Sequence, residues 1–279
     1  MQIITSIRDL DHPTHLRTGF VPTMGAFHEG HLQLMRTAKR ETDRVVVSLF
    51  VNPTQFGKGE DFSKYPRDLE RDARLADEAG VDVLFAPPVE EMYPRLATSV
   101  HVPVVTDLWE GEVRPTHFDG VATIVCKLFN IVRPTVAYFG QKDLQQCIVI
   151  GRMVEDLNMP LKLSIQPTVR ESDGLAMSSR NVYLSSEERA VAPKIYQELI
   201  RCQTEITKRE YGDNVSPIVE NSKDSLESLG FRVDYLNLID MDSTEKSDHL
   251  VDRAAIIVAA RLGTTRLIDN VILNVASHA

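Results

Sequence analysis

"TGFVPTMGAFHEGHLQLMRTAKRETDRVVVSLFV", Thr18 to Val51, is the stretch on which the fold reading turns. Thr18 to Thr23 is a short β-rich run, and a helical pattern follows through Arg40. Arg44 to Val51 is then too continuously apolar for a strand with one wet face and reads as a buried parallel strand. Strand, turn, helix, buried strand is the opening of an α/β sheet. In the turn stand two histidines three residues apart, His28 and His31, with Gly25 before them and Gly30 between them.

Outward from this stretch the alternation continues. A helical pattern spans about Asp68 to Ala79, "VDVLFAP" is another buried strand, and "GVATIVCKLFNIV" is helical. "VAYFG" is a short strand and Asp143 to Leu157 a further helix. Strands alternating with helices of this length imply a Rossmann-like, doubly wound parallel sheet. Past "LKLSIQPTVR" the character changes. "SSEE", Ser185 to Glu188, is a capping-box signal opening a long helix. A second helix ends near Gly230, and three β-like runs follow: "FRVDYLNLID", "AAIIVAARLG" and "TRLIDNVIL". Helices followed by consecutive strands predict a smaller α+β domain with an antiparallel sheet. The expected division is 1–168 and 169–279, without internal repeats.

Composition narrows the function classes. With 279 residues the chain can bury an ample core, and its formal net charge of −9 argues against a nucleic-acid binder, whose footprint is basic. Cys126, Cys147 and Cys202 are widely spaced and follow no paired-cysteine metal pattern, which favours a reducing compartment. The first dozen residues lack a basic segment followed by an apolar one, and no 18-residue apolar run occurs. The expectation is a cytoplasmic protein outside the membrane.

The histidine pair admits three readings. A zinc-protease helix needs histidines at i and i+4 with glutamate between, whereas His28-Glu29-Gly30-His31 is spaced i, i+3 and carries a helix-weakening glycine. No cysteine or histidine cluster stands nearby to complete a metal site. A phosphate site fits the context better. In doubly wound sheets, ligands sit beyond the carboxyl ends of strands, where helix N-termini supply N–H donors and positive dipole. Gly30 would allow close approach, and two imidazoles could donate to phosphate oxygens. The bland alternative is a pair of solvated surface histidines. "FGKGED" around Lys58 is a decoy: a P-loop requires Gly-Lys-Ser/Thr after an earlier glycine, but Asn52 stands at that earlier position and Gly59 follows the lysine.

Six motifs in order, "VPTMGAFHEGH", "FVNPTQFG", "YPR", "HFDGVATIV", "FGQKDLQQ" and "DGLAMSSRN", resemble the pattern of the pantothenate synthetase (pantoate–β-alanine ligase) family, from about Gly19 to Asn181. The resemblance implies a homodimer with a Rossmann-like ATP domain and a C-terminal lid. It implies condensation of pantoate with β-alanine, with ATP and magnesium, yielding AMP and pyrophosphate. On it, the ATP-binding turn is Met24, Gly25, Ala26, Phe27, His28, Glu29, Gly30 and His31, with His31 the catalytic proton donor. Gly140, Gln141, Lys142 and Asp143 form the adenine and phosphate loop. Val169 falls on the hinge, and Met177, Ser178, Ser179 and Arg180 on a mobile phosphate loop. Gln55 and Gln146 match the pantoate-binding glutamines, with Asn52 in the same motif, and Asp72 is the candidate magnesium ligand. Departures are Thr116 where glycine is usual and Gln141 where glutamate is common.

The chemistry suits these residues. A carboxylate is a poor electrophile and needs an activated leaving group before it forms an amide. Adenylation gathers negative charge, so His28, His31, Lys142, Arg180 and magnesium are the candidate stabilisers. Gln55 and Gln146 are neutral, which suits a substrate carrying hydroxyls. Two alternatives stay open on sequence: a nucleotidyltransferase with the same histidine motif, which would need more basic residues for a phosphorylated acceptor, and a nucleotide sensor without turnover.

Overall fold

The structure is a computed structural model, and it describes residues 1–57, 62–63, 65–95 and 97–274. Lys58 and Gly59 of the P-loop-like stretch lie outside the described residues. Contacts divide the chain into two units, one of Met1–Gln141 with Gln145–Pro167 and one of Lys142–Leu144 with Thr168–Ala279.

The first unit is built on six strands: β1 (Gln2–Ile4), β2 (Thr18–Thr23), β3 (Arg44–Leu49), β4 (Val83–Phe85), β5 (Val136–Gly140) and β6 (Lys162–Gln166). They form one sheet in the order β1-β4-β3-β2-β5-β6, with every pairing parallel. Its helices are α1 (Glu29–Glu41), α2 (Leu69–Glu78), α3 (Val89–Met92), α4 (Glu110–Val113), α5 (His117–Val132) and α6 (Leu144–Asp156). Consecutive residues of β3 explain its unbroken apolar run. Val45 and Val47 pack with Met35 and Ala38 of α1 and Ala76 of α2, while Val46 packs with Phe118 and Val121 of α5. Both faces of the sheet are covered, so neither needs polar residues. The strand at Thr18 is second in the chain: β1 precedes it and pairs with β4 at the far edge.

After β2 the chain adds β3 and β4 on one side, then returns to place β5 and β6 on the other. The order therefore reverses between β2 and β5, the place beyond whose carboxyl ends open α/β sheets bind ligands. Loops leaving β3, β2 and β5 are neighbours at that edge.

The second unit carries α7 (Ser186–Val191), α8 (Lys194–Ile206) and α9 (Ser216–Ser228), then β7 (Arg232–Asp240), β8 (Arg253–Leu262) and β9 (Thr265–Asn274). The strands are antiparallel in the order β7-β8-β9. Leu199, Cys202 and Ile206 of α8 and Leu226 of α9 share a core with Leu238, Ile256 and Val258. The predicted capping box forms: Ser185 Oγ accepts from the Glu188 N–H at 3.2 Å, and Glu188 accepts from the Ser185 N–H at 2.9 Å. The long helix expected after it is instead two. Pro193, which has no N–H to donate, caps α8 and ends α7 after one and a half turns.

Candidate active site

The turn between β2 and α1 is held in an unusual shape by a buried carboxylate. Gly25 has φ +90° and Ala26 φ +54°, both left-handed. The Ala26 N–H donates to Asp72 Oδ2 at 2.7 Å and the Phe27 N–H to Asp72 Oδ1 at 2.9 Å. Arg71 completes the clamp, donating to the Phe27 carbonyl at 3.0 Å and to Asp72 Oδ1 at 3.2 Å. At Gly25 a Cβ would lie 3.0 Å from Asp72 Oδ2, so side-chain space and φ both require glycine there. Asp72 is 1% exposed and both its oxygens are taken. Asp72, the expected magnesium ligand, thus directs both carboxylate oxygens to backbone N–H groups of the turn.

The histidines cap α1. His28 is the N-cap residue; its Nδ1 accepts from the Gly30 N–H at 3.2 Å, and His31 Nδ1 accepts from the His28 N–H at 3.4 Å. A ring nitrogen that accepts carries no proton, so each neutral imidazole holds its proton on Nε2. The rings lie 4.1 Å apart between centroids, with Phe27 5.7 Å from His31. Gly30 makes room for His28: a Cβ there would stand 2.9 Å from the ring. The Phe27 side chain is buried in the core, and its backbone N–H and carbonyl are held by Asp72 and Arg71. Glu29 is exposed and pairs with Arg36 along the helix surface.

Beyond β3, Asn52 and Gln55 sit on a short 3₁₀ turn, Pro53–Gln55. Asn52 is 1% exposed, and its amide bonds Gln55, Gly120, Thr54 and Tyr93. The Asn52 amide, expected near the substrate, is hydrogen-bonded within the protein at both Oδ1 and Nδ2. Gln55 reaches Met24 Sδ, at the start of the histidine turn, at 3.0 Å. Beyond β5, Gly140 ends the strand with open space where a Cβ would stand, and Gln141–Asp143 forms a 3₁₀ turn leading into α6. Gln146, on the first turn of α6, is half-buried and makes no side-chain hydrogen bond to another described residue.

The remaining expected residues belong to the second unit. Lys142 Nζ stands 3.8 Å from Asp143 Oδ2, and the Lys142 carbonyl accepts from Asn270 Nδ2 of β9 at 3.1 Å. The Met177 N–H donates to the Val169 carbonyl at 2.9 Å, so the expected hinge residue and the first residue of the expected phosphate loop are cross-strand partners in a hairpin turned at Gly174. The Arg170 guanidinium anchors that hairpin through Asp269, at 2.6 and 2.9 Å, and stacks 3.5 Å over Tyr196. Ser178 Oγ accepts from the Arg180 N–H at 3.2 Å and opens a 3₁₀ turn over Ser179–Tyr183. The Arg180 guanidinium is exposed and has no ion pair among the described residues.

Sequence reading overlooked Arg71, Tyr93 and Asn270. Tyr93 carries a signal, since it opens a second Tyr-Pro-Arg after the one at 65–67. Asn270 is a polar residue inside an apolar strand, a pattern that points to a buried partner.

Comparison with known proteins bears on this arrangement directly. Residues 2–272 match the family described as pantoate-beta-alanine ligase. The chain belongs to that family. A pantothenate synthetase of Heliobacterium modesticaldum is 51% identical, with 99% of this chain and 100% of that one covered. A crystal structure of the Thermus thermophilus pantothenate synthetase has TM-score 0.91 and 48% identity, covering 98% and 100%. A Francisella tularensis pantoate-beta-alanine ligase, crystallised with beta-gamma ATP and β-alanine, has TM-score 0.79 and 34% identity, covering 98% and 97%. Family membership separates the histidine motif here from its use in nucleotidyltransferases. No helix among the described residues is long and apolar enough to cross a membrane.

Proposed function

We propose that the chain catalyses ATP-dependent condensation of pantoate with β-alanine through a pantoyl-adenylate intermediate. The observation that carries this is the meeting of family motifs at one edge. The histidine turn, the Asn52–Gln55 turn and the Gly140–Gln141 loop leave the adjacent strands β2, β3 and β5 where strand order reverses. The complex of the Francisella ligase with ATP and β-alanine supports the same substrates here.

In the first step a pantoate carboxylate oxygen attacks the α-phosphorus of ATP. The bond to the β,γ-phosphates breaks, and pyrophosphate leaves. With Nδ1 of each histidine accepting a backbone N–H, His28 and His31 offer Nε2–H to phosphate oxygens on which charge grows. The α1 N-terminus adds its dipole to the same turn. Lys142 and Arg180 supply cationic donors, and Gln55 and Gln146 neutral ones for the hydroxy acid. In the second step the β-alanine amine attacks the acyl carbon, AMP leaves with the former carboxylate oxygen, and the amine sheds a proton.

Magnesium belongs to this reading only as the counterion of the nucleotide phosphates. Asp72 does not fit a metal, and no group of three or more His, Cys, Asp or Glu among the described residues is placed to hold one. Assignment of 1–168 to ATP and pantoate, of 169–279 to a lid that carries Val169 and Met177–Arg180, and of a homodimer rests on family resemblance. The three free cysteines suit a cytoplasmic location.

The test is isotope exchange. With magnesium and ATP, pantoate alone should drive labelled pyrophosphate into ATP, and later addition of β-alanine should yield AMP and amide in equal amounts. Exchange that strictly requires β-alanine would overturn the adenylate intermediate. A nucleotidyltransferase would ignore pantoate, and a sensor would show no exchange at all.

A further inference from the structure

The hydrogen bonds around Asn52 settle which end of the Gln55 amide faces Met24. On one side of Asn52 lies the Thr54 N–H, 3.4 Å from Oδ1, and on the other the Gly120 carbonyl, 3.0 Å from Nδ2. A backbone N–H only donates and a backbone carbonyl only accepts, so the Asn52 amide has a single allowed orientation. The hydroxyls of Thr54 and Tyr93 also donate to Oδ1, at 2.9 and 2.8 Å. Burial raises the Tyr93 pKa, which keeps the phenol protonated as a donor.

That orientation propagates. Asn52 Nδ2 lies 3.1 Å from the Gln55 side chain, and the Gln55 atom facing a donor must be the acceptor Oε1. Gln55 Nε2 therefore points the other way, towards Met24, whose thioether is a weak acceptor and leaves the donor capacity largely unspent. The backbone beneath is equally fixed. The Gln55 carbonyl is 2.8 Å from His117 Nδ1, and a Cβ on Gly120 would come within 2.4 Å of the Thr54 carbonyl, so only glycine lets this turn rest on α5.

We infer that Asn52 and Tyr93 are positioning residues whose hydrogen-bond polarity, set by two backbone groups, makes Gln55 a donor to the oxygen atoms of the hydroxy acid. This rests on the proposed function. Gln55 then selects substrates presenting lone pairs, a carboxylate or a hydroxyl, and disfavours an amine or ammonium at the same place. An amide free to flip would recognise both equally.

The experiment measures KM for pantoate, ATP and β-alanine, with melting temperature, in Tyr93→Phe, Asn52→Asp, Gln55→Ala and Tyr93→Phe/Gln55→Ala. Loss of the phenol donor should raise the pantoate KM about fivefold, the worth of one neutral hydrogen bond, with the other two KM values unchanged. Asn52→Asp puts an acceptor where Nδ2 stood, so Gln55 should turn its Oε1 towards the Met24 side and the pantoate KM should rise further. If that variant does not fold, the tyrosine pair decides alone. In the Gln55→Ala background, Tyr93→Phe should have no further effect on the pantoate KM. An equal rise in both backgrounds would show that Tyr93 does not act through Gln55 and would overturn the inference. A pantoate KM untouched by Gln55→Ala itself would instead overturn the reading of Gln55 as the pantoate contact.

Discussion

Asp72→Asn distinguishes a brace for the histidine turn from a metal ligand. The substitution keeps the shape of the side chain and replaces one accepting oxygen with an NH₂ group. Both oxygens now receive backbone N–H groups at 2.7 and 2.9 Å, so whichever way the asparagine sits, one N–H meets another donor. At 1% exposure no solvent reaches the site to take over. Losing one charge-assisted hydrogen bond and stranding its donor should cost about 3 kcal/mol. For a unit of this size each kcal/mol lowers Tm by about 2–4 °C, so the midpoint should fall by about 9 °C. The assay is thermal unfolding without nucleotide or metal, beside pyrophosphate exchange across a magnesium titration. Exchange should slow because His28 and His31 lose their register, while the magnesium concentration for half-maximal rate stays unchanged. A metal-free Tm equal to that of the parent, together with a raised magnesium requirement, would refute this reasoning and return Asp72 to the metal.

Three further expectations follow from the same geometry. His31→Ala should slow single-turnover adenylate formation by about 10²–10³-fold, the usual loss for one donor to a developing anion, with circular dichroism unchanged; a near-parental rate would remove the histidine from the chemistry. Lys142→Ala should impair pyrophosphate exchange more than amide formation from added pantoyl adenylate, because the charge it offsets has departed by the second step; equal losses would point to misplaced adenylate. Thr116 is exposed and left-handed, φ +72°, a conformation that favours glycine. Left-handed strain of about 1–2 kcal/mol, less the entropy a glycine costs, makes Thr116→Gly stabilising by about 0.5–1 kcal/mol in urea unfolding, and a destabilised variant would contradict it.

Local pattern carried much of this protein into view from the sequence. Three valines in succession at 45–47 can be satisfied only by a strand covered on both faces, because successive side chains point oppositely. Ser185 and Glu188 stand three apart, the spacing of a capping box, and that cap forms. Glycines and histidines after a strand and before a helix marked the turn that α1 starts from. These signals are local: each depends on residues a few positions apart, and the backbone geometry of helix and strand converts spacing directly into facing.

Non-local roles were out of reach. Whether a carboxylate on a helix binds a metal or backbone N–H groups depends on what lies against it, and the partners of Asp72 are 45 and 46 residues away. Asn52 was indistinguishable in sequence from a substrate ligand until Gly120 and Tyr93, 68 and 41 residues on, were seen to saturate its amide. The order of the sheet is likewise a tertiary fact. Alternating elements told that β2 and β5 exist and run parallel, whereas their adjacency comes from the chain returning past its own first βαβ unit. The sequence by itself determined the elements, the family motifs and the residues proposed to handle phosphate. Only the tertiary structure decided which polar side chains are hydrogen-bonded to distant parts of the chain, because a buried donor or acceptor must find its partner wherever the fold brings one.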